Sequence, residues 1–367
     1  MNRFDPIQAR LQESQLTALA LVPGPNFFYA TGAALHASER ENLLIIPREG
    51  EPFALIPVLE APYLRPLGIR LYEWSDEAGP LPQLAAMLES EGLSEGVLGI
   101  EAEQMRYRTV ARLRDLAPTL ALEAADALLS ALRRAKSEEE IAAVRRAIAV
   151  TEQGLQRTIG AIRVGQSERE VAAMLQINLL QAGADQMAFG PLVVSGPRSA
   201  EPHAGASDRE LQAGDIIIID CGATVNHYSG DITRCVAIEP VPTQVEEIHA
   251  LCLRANQAGR DAVAAGVRAA SVDEAARRVI VAGGYGPQFV HRTGHGLGIE
   301  IHEAPYIVAS NDQPLQVGDL FTVEPGIYVE GVGGVRIEDN LVVTPQGSDT
   351  LTTMARDLVR LSATQSS

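Results

Sequence analysis

Five residues have types and spacings that could do chemistry together: Asp220, Asp231, His295, Glu324 and Glu338. Two of them sit at matching places in a repeated frame. Residues 211–231 read LQAGDIIIIDCGATVNHYSGD, and residues 315–327 return a shortened copy, LQVGDLFTVEPGI. At one offset of 104, Gly214 falls on Gly318, Asp215 on Asp319, Asp220 on Glu324 and Gly222 on Gly326. Each copy closes an apolar, strand-like run with a lone carboxylate. A carboxylate in that place is costly unless its charge is neutralised, so two in register point to a shared cation. With Asp231, Glu338 and His295 added, four carboxylates and one imidazole supply what two divalent cations need. Any one of these alone is more often a surface acid or a satisfied core histidine. The set and its duplicated frame carry the weight.

The elements that must hold these groups follow the same duplication. Ser137 and Glu140 form a capping box, and Ile141, Val144, Ile148, Thr151, Leu155, Ile159 and Ile162 follow at helical spacing. A second helix is predicted over Ser167–Ala182, then strands near Ala188–Val194 and Ile216–Ile219. Residues 243–283 are again helical, ending at Gly283-Gly284, and Leu320–Val323 is again a strand. Two helices and strands thus occur twice in one order, which predicts a domain whose halves face one another across a pseudo-twofold axis. Upstream, strands predicted at Ala18–Val22, Asn42–Ile46, Phe53–Ile56 and Val97–Ile100 alternate with helices at Leu81–Glu91 and Thr109–Ala117. The division expected is a supporting α/β domain over residues 1–125, a linker over 126–136 and a catalytic domain over 137–367.

Composition narrows the classes. The 367 residues are 46% hydrophobic and 21% charged, as in globular proteins, and long enough for two domains. A net charge of −17 argues against a nucleic-acid or anionic-membrane surface. The first sixteen residues carry charges where a signal peptide needs an apolar core, and no run reaches membrane-span length. Cys221, Cys235 and Cys252 lack metal-finger spacing and suit a reducing compartment. A cytoplasmic protein is therefore expected, its cysteines being small buried residues. The glycine-rich run Gly294-His295-Gly296-Leu297-Gly298 lacks the strand–loop–helix frame of a phosphate loop. No nucleophile elbow surrounds Ser195, which argues against a serine hydrolase built with His203 and Asp208.

The motifs DCGATVNHYSGDITR, HRTGHGLGIEIHE, TVEPGIY and GGVRIEDN, with PHAG at residues 202–205, occur in the order seen in one family. Over residues 137 to about 355 the chain resembles the metallopeptidases of the methionine aminopeptidase, aminopeptidase P and prolidase clan. The fold class this implies is α/β (α+β), with a creatinase/prolidase-like N-terminal domain and a pseudo-twofold pita-bread catalytic domain. By resemblance Asp231 and Glu338 bridge two metal ions, Asp220 binds one, and His295 and Glu324 bind the other. Mn²⁺ is the first expectation, with Co²⁺ or Zn²⁺ as alternatives. Creatinase shares the fold but lacks these ligands, so their presence weighs against its reaction.

The resemblance implies metal-assisted peptide hydrolysis, with Glu324 moving the proton from water to the leaving nitrogen. His203 and His302 would surround the scissile bond, and His291 would lie near a proline pocket. Arg336 and Tyr228 are further substrate-side candidates, and Thr233 would hold a water. The large N-terminal domain and the EIHEAP tail point to the proline-directed branch, whose substrates are peptides with proline second. Modest length favours a small aminopeptidase P, which removes the residue before proline from longer peptides. Prolidase, which cuts Xaa-Pro dipeptides, is the alternative, and Arg292 or Arg198 could then clamp the free carboxylate. A non-catalytic metal-binding scaffold is the remaining reading. The family implies a homodimer with no nucleic-acid or membrane partner.

Overall fold

Apolar residues on alternate sides of Ala18–Leu21 explain the first sheet. Ala18 and Ala20 pack into one buried cluster, while Leu19 and Leu21 pack into another on the opposite face. This strand is the centre of a six-stranded sheet in the order Arg70–Trp74, Phe53–Pro57, Leu43–Pro47, Ala18–Leu21, Val97–Ile100, Ala121–Ala124. It runs antiparallel to Leu43–Pro47 and parallel to Val97–Ile100. The computed structural model describes residues 4–363 and divides into two units, Met1–Arg133 and Arg134–Ser367. Among the described residues, no helix is long and apolar enough to cross a membrane.

In the second unit, the capping box at Ser137 opens a helix from Glu138 to Ala161, with Ser137 Oγ accepting from the Glu140 amide and the Glu140 carboxylate from the Ser137 amide. It packs on a second helix, Glu168–Ala182, and Thr243–Asp261 packs likewise on Ala269–Ala282. A four-stranded sheet follows the order Val359–Ser362, Ile232–Glu239, Ile216–Cys221, Leu192–Ser195. A five-stranded sheet has the order Glu303–Ile307, Gly294–Gly296, Leu320–Val323, Asp339–Thr344, Gly347–Thr350. The repeated sequence frame thus becomes a repeated helix pair and sheet.

Several elements differ from the sequence reading. The expected linker over 126–136 is largely a helix, Asp126–Arg134. Arg70–Trp74 and Ala121–Ala124 add edge strands to the first sheet. The strand expected near Ala188–Val194 is displaced to Leu192–Ser195.

The glycines of the Gly294-His295-Gly296 strand serve close packing of strands. A Cβ on Gly294 would lie 1.8 Å from the Thr322 carbonyl oxygen, and one on Gly296 would lie 2.2 Å from that of Ala304. Beside this strand, Lys136 pairs with Glu303, both nearly sealed from solvent, and its Nζ also donates to the Arg134 carbonyl. Lys136 is the chain's one lysine.

Candidate metal centre

The four-stranded and five-stranded sheets of the second unit deliver the five residues from strand ends. Asp220 lies on Ile216–Cys221, and Asp231 immediately precedes Ile232–Glu239. His295 is the middle residue of Gly294–Gly296, Glu324 follows Leu320–Val323, and Glu338 precedes Asp339–Thr344. One sheet therefore supplies two groups and the other supplies three. Strand ends are where side chains can leave the sheet plane and converge.

They do converge. Asp231, His295 and Glu338 each offer an atom within 4.8 Å of the others. His295 Nε2 lies 3.2 Å from Glu324 Oε1 and 3.6 Å from Asp231 Oδ2. Asp220 Oδ1, Asp231 Oδ1 and Glu338 Oε1 are buried without any hydrogen-bond partner. Orphaned buried oxygens of this kind are costly and call for a ligand. Burial drives the carboxyls of Asp231 and Glu338 well above the usual range, and the neighbouring carboxylates push them further. Burial also raises Asp220, partly offset by Arg336. At Glu324 burial pushes upward, but His295, His291 and Arg336 outweigh it and hold the carboxyl at about 2. A donor set of carboxylate oxygens and one imidazole, crowded with unrelieved negative charge, fits divalent cations.

The surrounding groups line one cavity of about 320 Å³, with Phe189, Leu192 and Pro202 forming its apolar side. His203, His291, His302 and Arg336 line it too. The His302 ring meets that of His295 edge to face at 4.2 Å, and burial lowers its imidazole to about 4, helped by His295 and Arg292. His291 Nδ1 contacts the Arg292 carbonyl at 2.7 Å, and its Nε2 contacts the Tyr328 hydroxyl at 3.0 Å. Buried Arg336 binds Asp220 Oδ2, the Tyr328 hydroxyl at 2.8 Å and Thr233 Oγ1 at 3.2 Å. Thr233 Oγ1 in turn donates to Glu338 Oε2 at 2.6 Å, so its proton serves a carboxylate.

Two expectations need correction. Tyr228 is not among the residues that line the cavity; its hydroxyl donates to Glu140 Oε1 at 3.1 Å. The tight turn at Asn226 and His227, both with positive φ, directs it there. Arg198 is no free clamp either, since it pairs with buried Glu168 and donates to Ser207 Oγ and the Gly205 carbonyl. Arg292, by contrast, lines the cavity with its guanidinium 4.8 Å above the Tyr306 ring. Tyr328 and Phe189 were missed. Phe189 could have been found because it alone of the seven phenylalanines stands directly before a Gly-Pro step.

Residues 142–345 match the model for metallopeptidase family M24, and residues 3–135 match the creatinase/prolidase N-terminal domain. The chain belongs to metallopeptidase family M24. As an M24 metallopeptidase it is a hydrolase with the pita-bread fold, and the family works with divalent metal ions. It is 37% identical to the Xaa-Pro dipeptidase of Pyrococcus furiosus, over 97% of this chain and 99% of that one. The prolidase structure from Thermococcus sibiricus superposes with a TM-score of 0.93 at 35% identity, covering 98% of each chain. The X-Pro aminopeptidase of Thermotoga maritima is also similar, with a TM-score of 0.86 at 31% identity, covering 96% of this chain and 100% of that one.

The leading expectation, an aminopeptidase P for longer peptides, is thereby overturned. Relatives from Mycobacterium and Pyrococcus that match over nearly their whole length are named dipeptidases or Xaa-Pro dipeptidases, which favours the alternative. Both enzymes cut the same bond, so the motifs around the carboxylates could not separate them. Chain length, which tipped the sequence reading, is shared by these relatives.

Proposed function

We propose that this M24 metallopeptidase is an Xaa-Pro dipeptidase, with Asp220, Asp231, His295, Glu324 and Glu338 holding two divalent ions. One observation carries the reading: the orphaned carboxylate oxygens share their cavity with Arg292, a cation for which no carboxylate or carbonyl partner is seen among the described residues. A dipeptide ending in proline presents its free carboxylate next to the cleaved bond. A longer peptide has none there. Arg292 would bind that carboxylate, and the apolar side of Phe189, Leu192 and Pro202 would take the flanking side chain or ring.

Bound ions would polarise the scissile carbonyl and acidify water. Glu324, ionised because its carboxyl is held at about 2, would accept the water's proton and pass it to the leaving nitrogen. His302 is neutral at pH 7 with its imidazole near 4, and would donate an N–H to the developing oxyanion together with His203. Arg336 would keep Asp220 ionised and oriented. Mn²⁺ suits the oxygen-rich donor set best. A homodimer is proposed from the family resemblance. The three buried free thiols support a reducing, cytoplasmic setting.

The test is product analysis with Mn²⁺-loaded protein on matched Xaa-Pro and Xaa-Pro-Yaa peptides, with Arg292→Gln alongside. The dipeptide should be cleaved and the longer peptide spared. Arg292→Gln should raise KM for the dipeptide by roughly 10–100-fold, the worth of a charge-assisted hydrogen bond. Faster release from the longer peptide, or an unchanged KM, would refute the assignment.

A further inference from the structure

Two buried side chains outside the cavity cross-link the backbones of Asp231 and Glu338. Arg234, on strand Ile232–Glu239, is fully buried and has an acceptor for each of its five N–H groups. Its Nη1 donates to the carbonyls of Glu338 at 2.6 Å and Thr233 at 2.9 Å. Nη2 serves Asp339 Oδ1 at 2.9 Å and the Met354 carbonyl at 2.8 Å, and Nε serves the Ala355 carbonyl at 2.8 Å. From the facing sheet, Asn340 Nδ2 returns the bond to the Asp231 carbonyl at 2.5 Å and also reaches Thr352 Oγ1 at 3.0 Å. Each carboxylate-bearing residue is thus held by a side chain from the other's strand.

The sheets themselves do not fix these two carbonyls. Asp231 precedes the first ladder pair of its strand, Ile232 with Cys221, and Glu338 precedes the pairing of Asp339 with Val323. Buried carbonyls need donors, and here the donors cross from one sheet to the other. Asn340 does this at a cost: its Oδ1 is buried without a partner, so only the donor half of the amide is in use. The charge of Arg234 is matched by Asp339, whose second oxygen accepts from Arg356 Nε. Neither Arg234 nor Asn340 is among the residues that line the cavity.

We propose that Arg234 and Asn340 are positioning residues: a reciprocal clamp between the two sheets that sets the separation of Asp231 and Glu338. Two like-charged carboxylates facing each other repel, and these ties add to the bond from the Glu338 amide to the Thr233 carbonyl at 3.3 Å in holding their strand ends together. Cation sites tolerate little such drift, and groups that orient ligands commonly change metal affinity by about 10–100-fold. The clamp rests on the proposed metal site.

Full-length protein stripped of metal is titrated calorimetrically with Mn²⁺, and its Tm is recorded before and after loading. Wild type is compared with Asn340→Ala, Arg234→Lys, Asp231→Ala and the core truncation Leu175→Ala. The clamp predicts that Asn340→Ala and Arg234→Lys bind Mn²⁺ about 10–100-fold more weakly, or lose one ion. In both variants kcat should fall more than KM changes. Leu175→Ala should lower Tm and leave Mn²⁺ binding intact. If Arg234→Lys does not fold, Asn340→Ala decides alone. Wild-type Mn²⁺ affinity in clamp variants whose Tm falls like that of Leu175→Ala would overturn the clamp while leaving the metal site standing. Equal Mn²⁺ binding by wild type and Asp231→Ala would instead overturn the metal site, and the clamp with it.

Discussion

Tyr328 gives its hydroxyl hydrogen to His291 Nε2 across 3.0 Å, and the neighbours on both sides fix that direction. The Arg292 carbonyl can only accept, so the His291 Nδ1 facing it carries the ring hydrogen. Arg336 Nη1 donates to the same phenol oxygen at 2.8 Å, which leaves the phenol hydrogen for Nε2. Both nitrogens of His291 are thus committed, and burial lowers the tendency of the ring to protonate. The ring contributes a wall to the cavity and no mobile proton.

Tyr328→Phe removes the acceptor of Arg336 and the donor of His291 together. Losing a buried hydrogen bond of about 1–2 kcal/mol should lower kcat/KM roughly 5–30-fold, mainly through KM. Steady-state kinetics on an Xaa-Pro dipeptide gives the split. A loss confined to kcat would mean that His291 takes part in proton transfer after all.

Asp231→Asn should move stability and activity in opposite directions. In metal-free protein it removes one of the carboxylates whose burial and mutual repulsion disfavour the ionised fold, so apo Tm should rise by about 2–4 °C. Hydrolysis should fall by at least about a thousandfold, since a metal ligand is lost. Calorimetry without and with Mn²⁺ tests both halves, and wild type alone should show the larger gain on loading.

The first unit should lose stability as pH rises through neutrality. Burial raises the Glu101 carboxyl to about 7, against 4.5 as its ordinary value, despite hydrogen bonds from the Val22 amide and Asn26 Nδ2. A raised folded-state pKa means that the unfolded chain ionises first. Its contribution is therefore complete below about pH 4.5 and lost as pH climbs through about 7, at most on the order of 3 kcal/mol. Urea unfolding of wild type and Glu101→Gln between pH 4.5 and 8 should show the slope in wild type and a flatter line in the variant.

Lys136→Met would take the ammonium away from the Glu303 carboxylate, which is 5% exposed. Breaking a buried pair from one side costs about 3–5 kcal/mol. Lys136→Met with Glu303→Leu should recover much of that loss. A denaturant-unfolding cycle of the single and double variants measures the coupling directly.

The duplicated strand ends were legible because a carboxylate closing an apolar run is a local pattern. The helix caps at Ser137 were legible for the same reason. Asp126–Arg134 escaped because nine residues give too few turns to establish a period beside an Ala-rich, charged stretch. Arg70–Trp74 escaped because an edge strand can be rich in charge. The tyrosines show the limit at the site: Tyr228 and Tyr328 both lie in the quoted motifs, yet Tyr228 turns away to Glu140 while Tyr328 bonds Arg336 and His291. Arg234 and Asn340 act across about a hundred residues of chain, at a distance that spacing does not encode.

Because its single lysine lies sealed against Glu303, the folded protein shows amine-directed reagents no side-chain target among its described residues. All the cationic side chains they would meet there are guanidinium or imidazole. Acylation of Lys136 then becomes a clock for opening of the second unit, read at one position by mass. Slowing of that clock by Mn²⁺ would report how firmly a bound ion keeps the strand ends together.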